Sequence, residues 1–440
     1  MNRRFVAVLL LAILSIALVW RGVVPAISKV DTDFPNYLTA ARIVVDGGPV
    51  ERLYEDSWFQ SQMRRYQIGK PEEGKFAPFP PPTALLLVPL AHLTPLAALR
   101  VVTALSALCL LGSVFLLAKV LSWSYLETAV FLLLSGYANF NALRFGQPYM
   151  LVSLSCVLGY YARLRGAPFW AGVCLGLFVP IKYFPLVFLI YFAARREWKL
   201  VLGGAVATSA VLVLSIAVLG WGVHADFLHS ILGTHLTARL SMQSPFSASF
   251  QSFDALFRRL FVPDASLNPQ PWLALPRLDI VALIVTKSVL FTTAIATLWR
   301  SARGGVIDSV AFSIGMLGIL TLLLAPATAT YHFVLLWLPI GLLINQFYRE
   351  GKPVMASMML GMYALIGFLP YGHTFQFEGR GGLTVLSFPR LFVLLAMFWL
   401  CLCFVWRRRA DQIPVSWGRA GRNSFCSSDS SQGLSYRRAP

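Results

Sequence analysis

Residues 98–121 of this 440-residue chain read ALRVVTALSALCLLGSVFLLAKVL, with only Arg100 and Lys119 charged. An α-helix of this length is about 36 Å long, enough to cross the roughly 30 Å hydrocarbon core of a bilayer. Similar apolar blocks recur along the chain, separated by short breaks that are basic or rich in Gly and Pro. The pattern predicts an all-α membrane protein with many transmembrane helices.

The overall composition supports this class. Hydrophobic residues make up 57% of the chain and charged residues 13%, whereas soluble domains carry about 25% charged residues. The net charge is +18, but the basic residues cluster at segment ends and in the tail, as the positive-inside rule expects. No contiguous basic face interleaved with aromatic residues is found, so membrane lipids are expected around the protein and nucleic acid is not an expected partner.

The N-terminus fits either a signal peptide or a first span. Arg3 and Arg4 precede an apolar run over residues 5–20, and cleavage of a signal peptide would fall near Ala26. The run is long for a signal peptide, and further spans follow. We therefore predict an uncleaved first span that begins in the cytoplasm.

The expected number of spans is twelve, within about two, because short segments also fit re-entrant helices. Lys and Arg placement puts both termini in the cytoplasm, in the plasma (inner) membrane. Residues 1–410 then form one membrane domain, with larger extracytoplasmic loops at about 21–82 and 221–277, and residues 411–440 form a disordered cytoplasmic tail. The predicted spans are 5–20, 98–121, 126–142, 149–162, 168–181, 184–194, 200–220, 278–299, 306–325, 333–347, 354–370 and 388–406.

Several kinds of site are disfavoured by the motifs. Of six cysteines, five lie in apolar blocks and Cys426 lies in the tail, with no CxxC pair. Neither disulfides nor a cysteine-ligated metal site are expected. The chain also has no Walker motif, no GxGxxG after a strand, no HExxH and no GxSxG, which disfavours ATPases, dehydrogenases, zinc proteases and α/β-hydrolases.

Four polar residues stand beside apolar segments far apart in the sequence: Asp33, Gln147, Lys182 and His332. The predicted topology brings all four to the non-cytoplasmic face. Isolated polar groups at membrane depth are costly and commonly functional. The arrangement predicts an active site on that face.

Each of these residues also fits a structural role. Asp33 can accept a proton from a hydroxyl nucleophile, but its place before Pro35 equally suits a helix N-cap. Lys182, between Pro180 and Pro185, fits either a snorkelling cation or a phosphate ligand. His332 fits either a hydrogen-bonded structural residue or a donor to phosphate.

Two polar residues beside the turn between the third and fourth predicted spans also fit either a functional or a structural role. Arg144 and Gln147 fit either sugar or phosphate ligands or helix caps. No cluster of carboxylates resembles a metal site beyond the pair Asp31 and Asp33, so we expect neither a metal nor another cofactor.

Several ordered blocks of residues extend over about residues 30–340. They are Asp33-Phe34 with Tyr37, Ala40-Ala41 and the region from Gly48 to Tyr54; Phe79-Pro80-Pro81-Pro82 running to Pro89; Gly146-Gln147; Ala171-Gly172 with Leu175-Gly176, Lys182 and Pro185; and Pro326 with Tyr331-His332. In this order the blocks resemble glycosyltransferase family 87, the group that includes polyprenyl-phosphomannose-dependent mannosyltransferases.

The resemblance implies a GT-C fold, a helical membrane enzyme with an extracytoplasmic site. It implies a polyprenyl-phosphate sugar donor and an acidic catalytic residue that maps to Asp33. The segment before His332 lacks the family's Ser-Pro and paired histidines, and Gln251-Ser252 matches its Asn-Gln-Ser stretch only loosely.

The resulting hypothesis is transfer of a sugar, such as the hexose mannose, to a hydroxyl of a lipid or glycan acceptor. Asp33 is the expected general base. The donor phosphate and sugar are expected to meet Lys182, His332, Arg144 and Gln147, with Asp31, Tyr37 and Gln251 in support. The alternatives are a transporter or flippase of lipid-linked glycans, which would need no general base, and a non-catalytic scaffold, which would tolerate changes at all four polar sites.

Overall fold

The computed structural model describes residues 3–30, 33–237, 244–303, 308–370 and 375–407. Asp31 and the predicted tail at 411–440 lie outside these ranges. Within them the structure is helical, and the only β-pairing is a single bridge between Asp264 and Asn268. The predicted all-α membrane architecture is confirmed.

The helices follow the apolar blocks of the sequence. The first, α1 (Arg3–Leu18), continues through a π-helical turn (Val19–Val23) and a short helix (Val24–Ser28). The later ones are α2 (Phe34–Val45), α3 (Asp56–Tyr66), α4 (Pro95–Leu121), α5 (Tyr125–Leu133), α6 (Tyr137–Arg144), α7 (Tyr149–Leu164), α8 (Pro168–Gly176), α9 (Leu186–Ala194), α10 (Trp198–Leu219), α11 (Trp221–Asp226), α12 (Leu232–Leu236), α13 (Phe253–Phe261), α14 (Pro276–Arg303), α15 (Ser309–Leu324), α16 (Trp337–Arg349), α17 (Pro353–Phe368) and α18 (Pro389–Arg407).

Six helical segments of the described chain are long and apolar enough to cross a membrane. They are Arg4–Ser28, Pro95–Leu121, Trp198–Leu219, Pro276–Arg303, Thr330–Arg349 and Pro389–Arg407. The predicted fifth and sixth spans are α8 and α9, of nine residues each. Each is only about 13 Å long, so neither crosses a bilayer alone.

The predicted third span is divided into α5 and α6. The break falls at Gly136, whose φ is +47°. A Cβ atom there would collide with the carbonyl of Gly367 at the end of α17. Glycine is therefore required both by the left-handed backbone and by the close approach of α17.

Helices α8 and α10 touch backbone to backbone. Gly172 and Gly176 of α8 form a GxxxG pair, and they face Leu200 and Gly204 of α10. Small residues at this spacing allow membrane helices to approach closely and gain packing energy. This contact fixes the short helix that leads into the Lys182 segment.

The first predicted loop contains a folded unit. Helices α2 and α3 and the segment that follows them form a second hydrophobic core, which includes Phe34, Leu38, Phe59 and Phe76. Its buried side chains hold α2 against the start of α4. The sequence predicts only a loop at about 21–82, whereas the structure shows that these residues bury a core of their own.

The second predicted loop is anchored by partly buried ion pairs. Arg259 of α13 donates from Nη2 to Glu378 Oε2 at 2.9 Å and from Nε to the Phe246 carbonyl at 2.6 Å. Glu378 accepts a further bond from the backbone N–H of Ala248 at 2.9 Å. We call these contacts the Arg259–Glu378 clasp. At the other end of α13, Asp254 pairs with Lys287 of α14 at 2.7 Å.

Candidate active site

A cavity of about 430 Å³ opens where six parts of the described chain meet: the start of α2, the segment between α3 and α4, the start of α7, the break between α8 and α9, α12, and the end of α15 with the turn after it. Its polar lining residues come from all of these parts. They are Asp33, Asn36, Lys75, Tyr149, Lys182, Tyr183, His235, Thr321, Tyr331 and His332.

Asp33 stands at the N-cap position of α2 but does not cap it. Pro35 occupies the first turn, as expected, yet no backbone N–H of the helix bonds to the Asp33 side chain. The carboxylate instead faces the cavity and accepts a hydrogen bond from Gln147 Nε2 at 2.8 Å. The backbone of Asp33 therefore occupies the N-cap position, as predicted, but its side chain does not cap the helix.

The turn that carries Gln147 explains why it reaches Asp33. At the end of α6, the N–H of Gln147 donates to the Ala142 carbonyl at 2.9 Å, and the N–H of Gly146 donates to Leu143 at 3.1 Å. This is a Schellman motif, with Gly146 in the left-handed conformation at φ +59°. A Cβ atom on Gly146 would lie 2.6 Å from Phe34, so only glycine lets the turn close against α2.

A chain of hydrogen bonds joins Asp33 to Lys182. Tyr37 Oη donates to Gln147 Oε1 at 2.9 Å, and Lys182 Nζ donates to Tyr37 Oη at 3.3 Å. These hydrogen bonds connect parts of the protein that are more than 100 positions apart in the sequence. They hold the carboxylate and the ammonium on the same wall of the cavity.

Lys182 lies among aromatic rings. Its Nζ is 4.9 Å from the ring centre of Phe79, 4.9 Å from that of Tyr149 and 5.8 Å from that of Tyr37. Ring faces attract an ammonium group, especially where water is excluded. The side chain therefore points into the site, which is contrary to a snorkelling anchor.

His332 presents one defined donor. Its Nδ1 accepts the backbone N–H of Ala329 at 3.0 Å. Because the backbone group can only donate, a neutral His332 carries its proton on Nε2. The ring packs edge-on against Tyr149 at 4.7 Å and lines the cavity, so Nε2–H is the group left to meet a ligand.

Burial governs the charges of the site. It raises the pKa of Asp33 above its usual range, although hydrogen bonds from Gln147 and Tyr331 and the charges of Lys182 and Lys75 act in the opposite direction. Burial also lowers the pKa of Lys182 to about 8, while Asp33 partly offsets that effect. A carboxylate with a raised pKa is a better proton acceptor than one in water.

Among the polar lining residues that were not identified from the sequence, three carry an amide, an ammonium or an imidazole group. Lys75 lies four residues before Phe79, in the loop predicted to be extracytoplasmic. A lysine on that side departs from the positive-inside rule, and this departure is the signal that could have identified it. Asn36 follows Asp33 by one helical turn. His235 was only one of three histidines in its loop, and burial together with Lys182 lowers its pKa to about 4.

The other predicted residues take different places. Gln251 is fully bonded within the fold, since its amide donates to the Ala248 and Ser387 carbonyls and accepts from the N–H of Arg390. Arg144 packs over the Phe145 ring and does not line the cavity. Asp31 lies outside the described residues. Within them, no group of three His, Cys, Asp or Glu side chains suited to a metal ion is found.

Comparison with models of known protein families identifies the family of the chain. The model of glycosyltransferase family 87 matches residues 76–326, which is more than half of the chain. The matched region includes Gln147 and Lys182, whereas Asp33 and His332 lie on either side of it. No curated protein matches the chain at a significant level.

Proposed function

Because this chain belongs to glycosyltransferase family 87, we propose that it moves a hexose such as mannose from a polyprenyl-phosphate donor to a hydroxyl group of a lipid or glycan acceptor. The proposed site is the cavity lined by Asp33 and Lys182, on the extracytoplasmic face of the plasma membrane. The observation that carries the proposal is the Gln147-held carboxylate of Asp33, which shares one cavity wall with the Lys182 ammonium.

The charges of the cavity support a monophosphate donor. Among the described lining residues, Lys75 and Lys182 contribute two positive charges and Asp33 one negative charge, a net of +1. A polyprenyl-phosphate sugar is a phosphodiester with one negative charge, which this excess balances. A diphosphate-linked donor would bring one negative charge more.

The same balance holds after the reaction. The bond between the sugar C1 and the phosphate oxygen breaks, and the acceptor oxygen bonds to C1. The acceptor proton passes to Asp33, which becomes neutral and leaves the two lysine charges. The released polyprenyl phosphate carries close to two negative charges. The lining residues therefore match both substrate and product.

Each residue has a role in this scheme. Asp33 acts as general base, which typically contributes about 10²–10⁴-fold. Lys182 and the Nε2–H of His332 stabilise the charge that develops on the leaving phosphate, as preorganised donors do, and Lys75 adds a second cation. Gln147 orients the base, and Tyr37 links it to Lys182. A single displacement with inversion needs no second carboxylate.

The proposal is tested with purified protein, radiolabelled polyprenyl-phosphate hexoses and a total membrane lipid extract as acceptor. Asp33→Asn keeps the shape of the side chain but cannot take a proton, so we expect a loss of about 10²-fold or more in transfer rate. Asp31→Asn is the matched control and should cost about threefold or less, since a second carboxylate only tunes the base.

Other results would redirect the assignment. If Asp31→Asn is the inactive variant, the catalytic carboxylate is two residues earlier. If neither variant is impaired, Asp33 is not the general base. If the wild type transfers no sugar to any acceptor, a transporter or flippase of lipid-linked glycans becomes the better assignment.

A further inference from the structure

Asn36 stands beside the proposed base. It follows Asp33 by three positions at the start of α2, and residues at this spacing lie on the same face of a helix. Both side chains line the cavity. Asn36 is nevertheless almost enclosed, with 5% of its surface exposed.

One half of the Asn36 amide is already committed. Its Oδ1 accepts the backbone N–H of Lys75 at 3.2 Å. A backbone N–H can only donate, so the oxygen must face Lys75 and the NH₂ group must point the other way. Within the described chain, no hydrogen-bond acceptor is found for that NH₂ group.

The neighbouring groups do not supply an acceptor. Asp33 takes its hydrogen bonds from Gln147 and Tyr331. Lys75 and Lys182 are donors, as is the Nε2–H of His332. The NH₂ group is therefore the part of Asn36 that can donate a hydrogen bond to a ligand oxygen in the cavity.

We infer that Asn36 is a specificity-determining residue, whose NH₂ group donates a hydrogen bond to a carbohydrate hydroxyl close to the reacting centre. The inference rests on the proposed sugar transfer and goes beyond it by naming the group that reads the sugar. The hydroxyl belongs either to the hexose being transferred or to a sugar or polyol acceptor, because both meet at Asp33.

The proposed hydrogen bond from Asn36 predicts that the enzyme discriminates between a substrate with this hydroxyl and an analogue without it. A site built to bond a hydroxyl rejects an analogue without it, because the protein donor is then left unpaired. We expect one monodeoxy substrate to lose about 10- to 100-fold in kcat/KM relative to its parent, in line with one lost hydrogen bond in a partly enclosed site.

The test is a cycle of protein and substrate changes. The parent hexose donor is compared with its 2-, 3-, 4- and 6-deoxy analogues, and separately the parent acceptor with deoxygenated acceptors. Each comparison is made in the wild type, in Asn36→Ala and in Thr39→Val. Thr39 lies one turn further along α2, is fully buried and does not line the cavity, so its variant is the matched control.

We expect one deoxy substrate to be discriminated against by the wild type and by Thr39→Val, and accepted within about threefold of its parent by Asn36→Ala. The arm in which this occurs identifies donor or acceptor. If every discrimination factor is the same in Asn36→Ala as in the wild type, the inference is wrong.

A folding defect does not block the test. Each discrimination factor is a ratio of two substrates measured in the same preparation, so the amount of folded enzyme cancels. A second variant, Asn36→Leu, fills the same volume without any hydrogen-bonding group and should also lose the discrimination. Absence of transfer in the wild type would instead refute the proposed function, which separates the two failures.

Discussion

The Asp33 carboxylate illustrates how one residue position serves two roles. Its backbone starts α2, but its side chain leaves the helix and is held by Gln147 from a turn 114 positions away. Hydrogen bonds to the ionised form of a carboxylate lower its pKa, and burial raises it. Because burial has the larger effect here, the reactivity of the base depends on the partners that keep it ionised near neutral pH.

The first residue-scale prediction concerns pH. Transfer requires ionised Asp33, so the rate should fall as the pH drops through its raised pKa. Gln147→Leu removes a bond that favours the ionised form, so the acid limb of the pH–kcat profile should move to higher pH. Above that limb the loss should be within about tenfold, the value of one hydrogen bond.

The matched control is Gln346→Leu. Gln346 of α16 is also buried and bonded, but to Glu350, the residue that follows the helix, and away from the cavity. Its variant should leave the acid limb in place. An unmoved limb in Gln147→Leu would show that the Gln147 bond does not tune the base.

The second residue-scale prediction concerns donor binding. Lys182→Ala should weaken binding of a polyprenyl-phosphate hexose by about 10- to 100-fold, because it removes a charge-assisted contact. In the wild type, binding should also weaken as the pH rises above about 8, where the free lysine loses its proton. This alkaline limb should be absent from Lys182→Ala.

Equilibrium binding to a fluorescent donor analogue measures both effects. Lys119→Ala, which removes a lysine packed on Phe115 in α4, serves as the control. Normal donor binding by Lys182→Ala would mean that Lys182 has only a structural role.

At the scale of elements, the contact between α8 and α10 holds the segment that carries Lys182. A methyl group on Gly172 would collide with the Leu200 carbonyl. We expect Gly172→Ala to lower stability by roughly 1–3 kcal/mol and to weaken donor binding through displacement of the Lys182 segment. Thermal unfolding in detergent and the donor-binding assay measure the two effects.

The control is a glycine whose substitution by alanine is not expected to lower stability. Gly361 lies on α17 with open space around its α-carbon. Gly361→Ala should be neutral or stabilising by up to about 1 kcal/mol, as expected for an exposed helix. Equal effects at the two positions would show that the close contact is not what limits stability.

Some helices of this protein are predictable from the sequence and others are not, for physical reasons. Apolar blocks such as α4 and α10 are continuous, so composition alone located them. The first loop hid a folded unit, because Phe34, Phe59 and Phe76 bury one another without regular spacing. The break at Gly136 divides a single apolar block, and its cause is an approach by α17 that no local pattern records.

The site was captured in its residues more than in its connections. Polarity beside an apolar segment is the common signal of Asp33, Gln147, Lys182 and His332. Asp33, Lys182 and His332 line one cavity, and Gln147 is bonded to Asp33 without lining it. Their bonds through Tyr37 depend on tertiary contacts across more than 100 positions. Asn36 and Lys75 were missed because a polar residue in a predicted loop is ordinary.

At the scale of the whole molecule, orientation in the membrane is the remaining prediction. Reporter tags at Lys199 and Arg303 should be found in the cytoplasm, and tags near Glu73 and Asp264 should be found outside, because Lys and Arg concentrate at the cytoplasmic turns. Cysteine accessibility or enzyme-fusion reporters measure each position. A cytoplasmic Glu73 would place the cavity, which Lys75 lines, on the opposite face.

The Arg259–Glu378 clasp has a consequence for biogenesis. It joins residues 119 positions apart, and the Gln251–Arg390 bond nearby joins residues 139 apart. A ribosome delivers the chain from its N-terminus, so the segment around α13 is made well before its partners. It cannot complete these contacts until Glu378 and Arg390 have been synthesised. A nascent chain that stops before residue 378 therefore lacks both partners, and its second predicted loop cannot close in the way seen in the full chain.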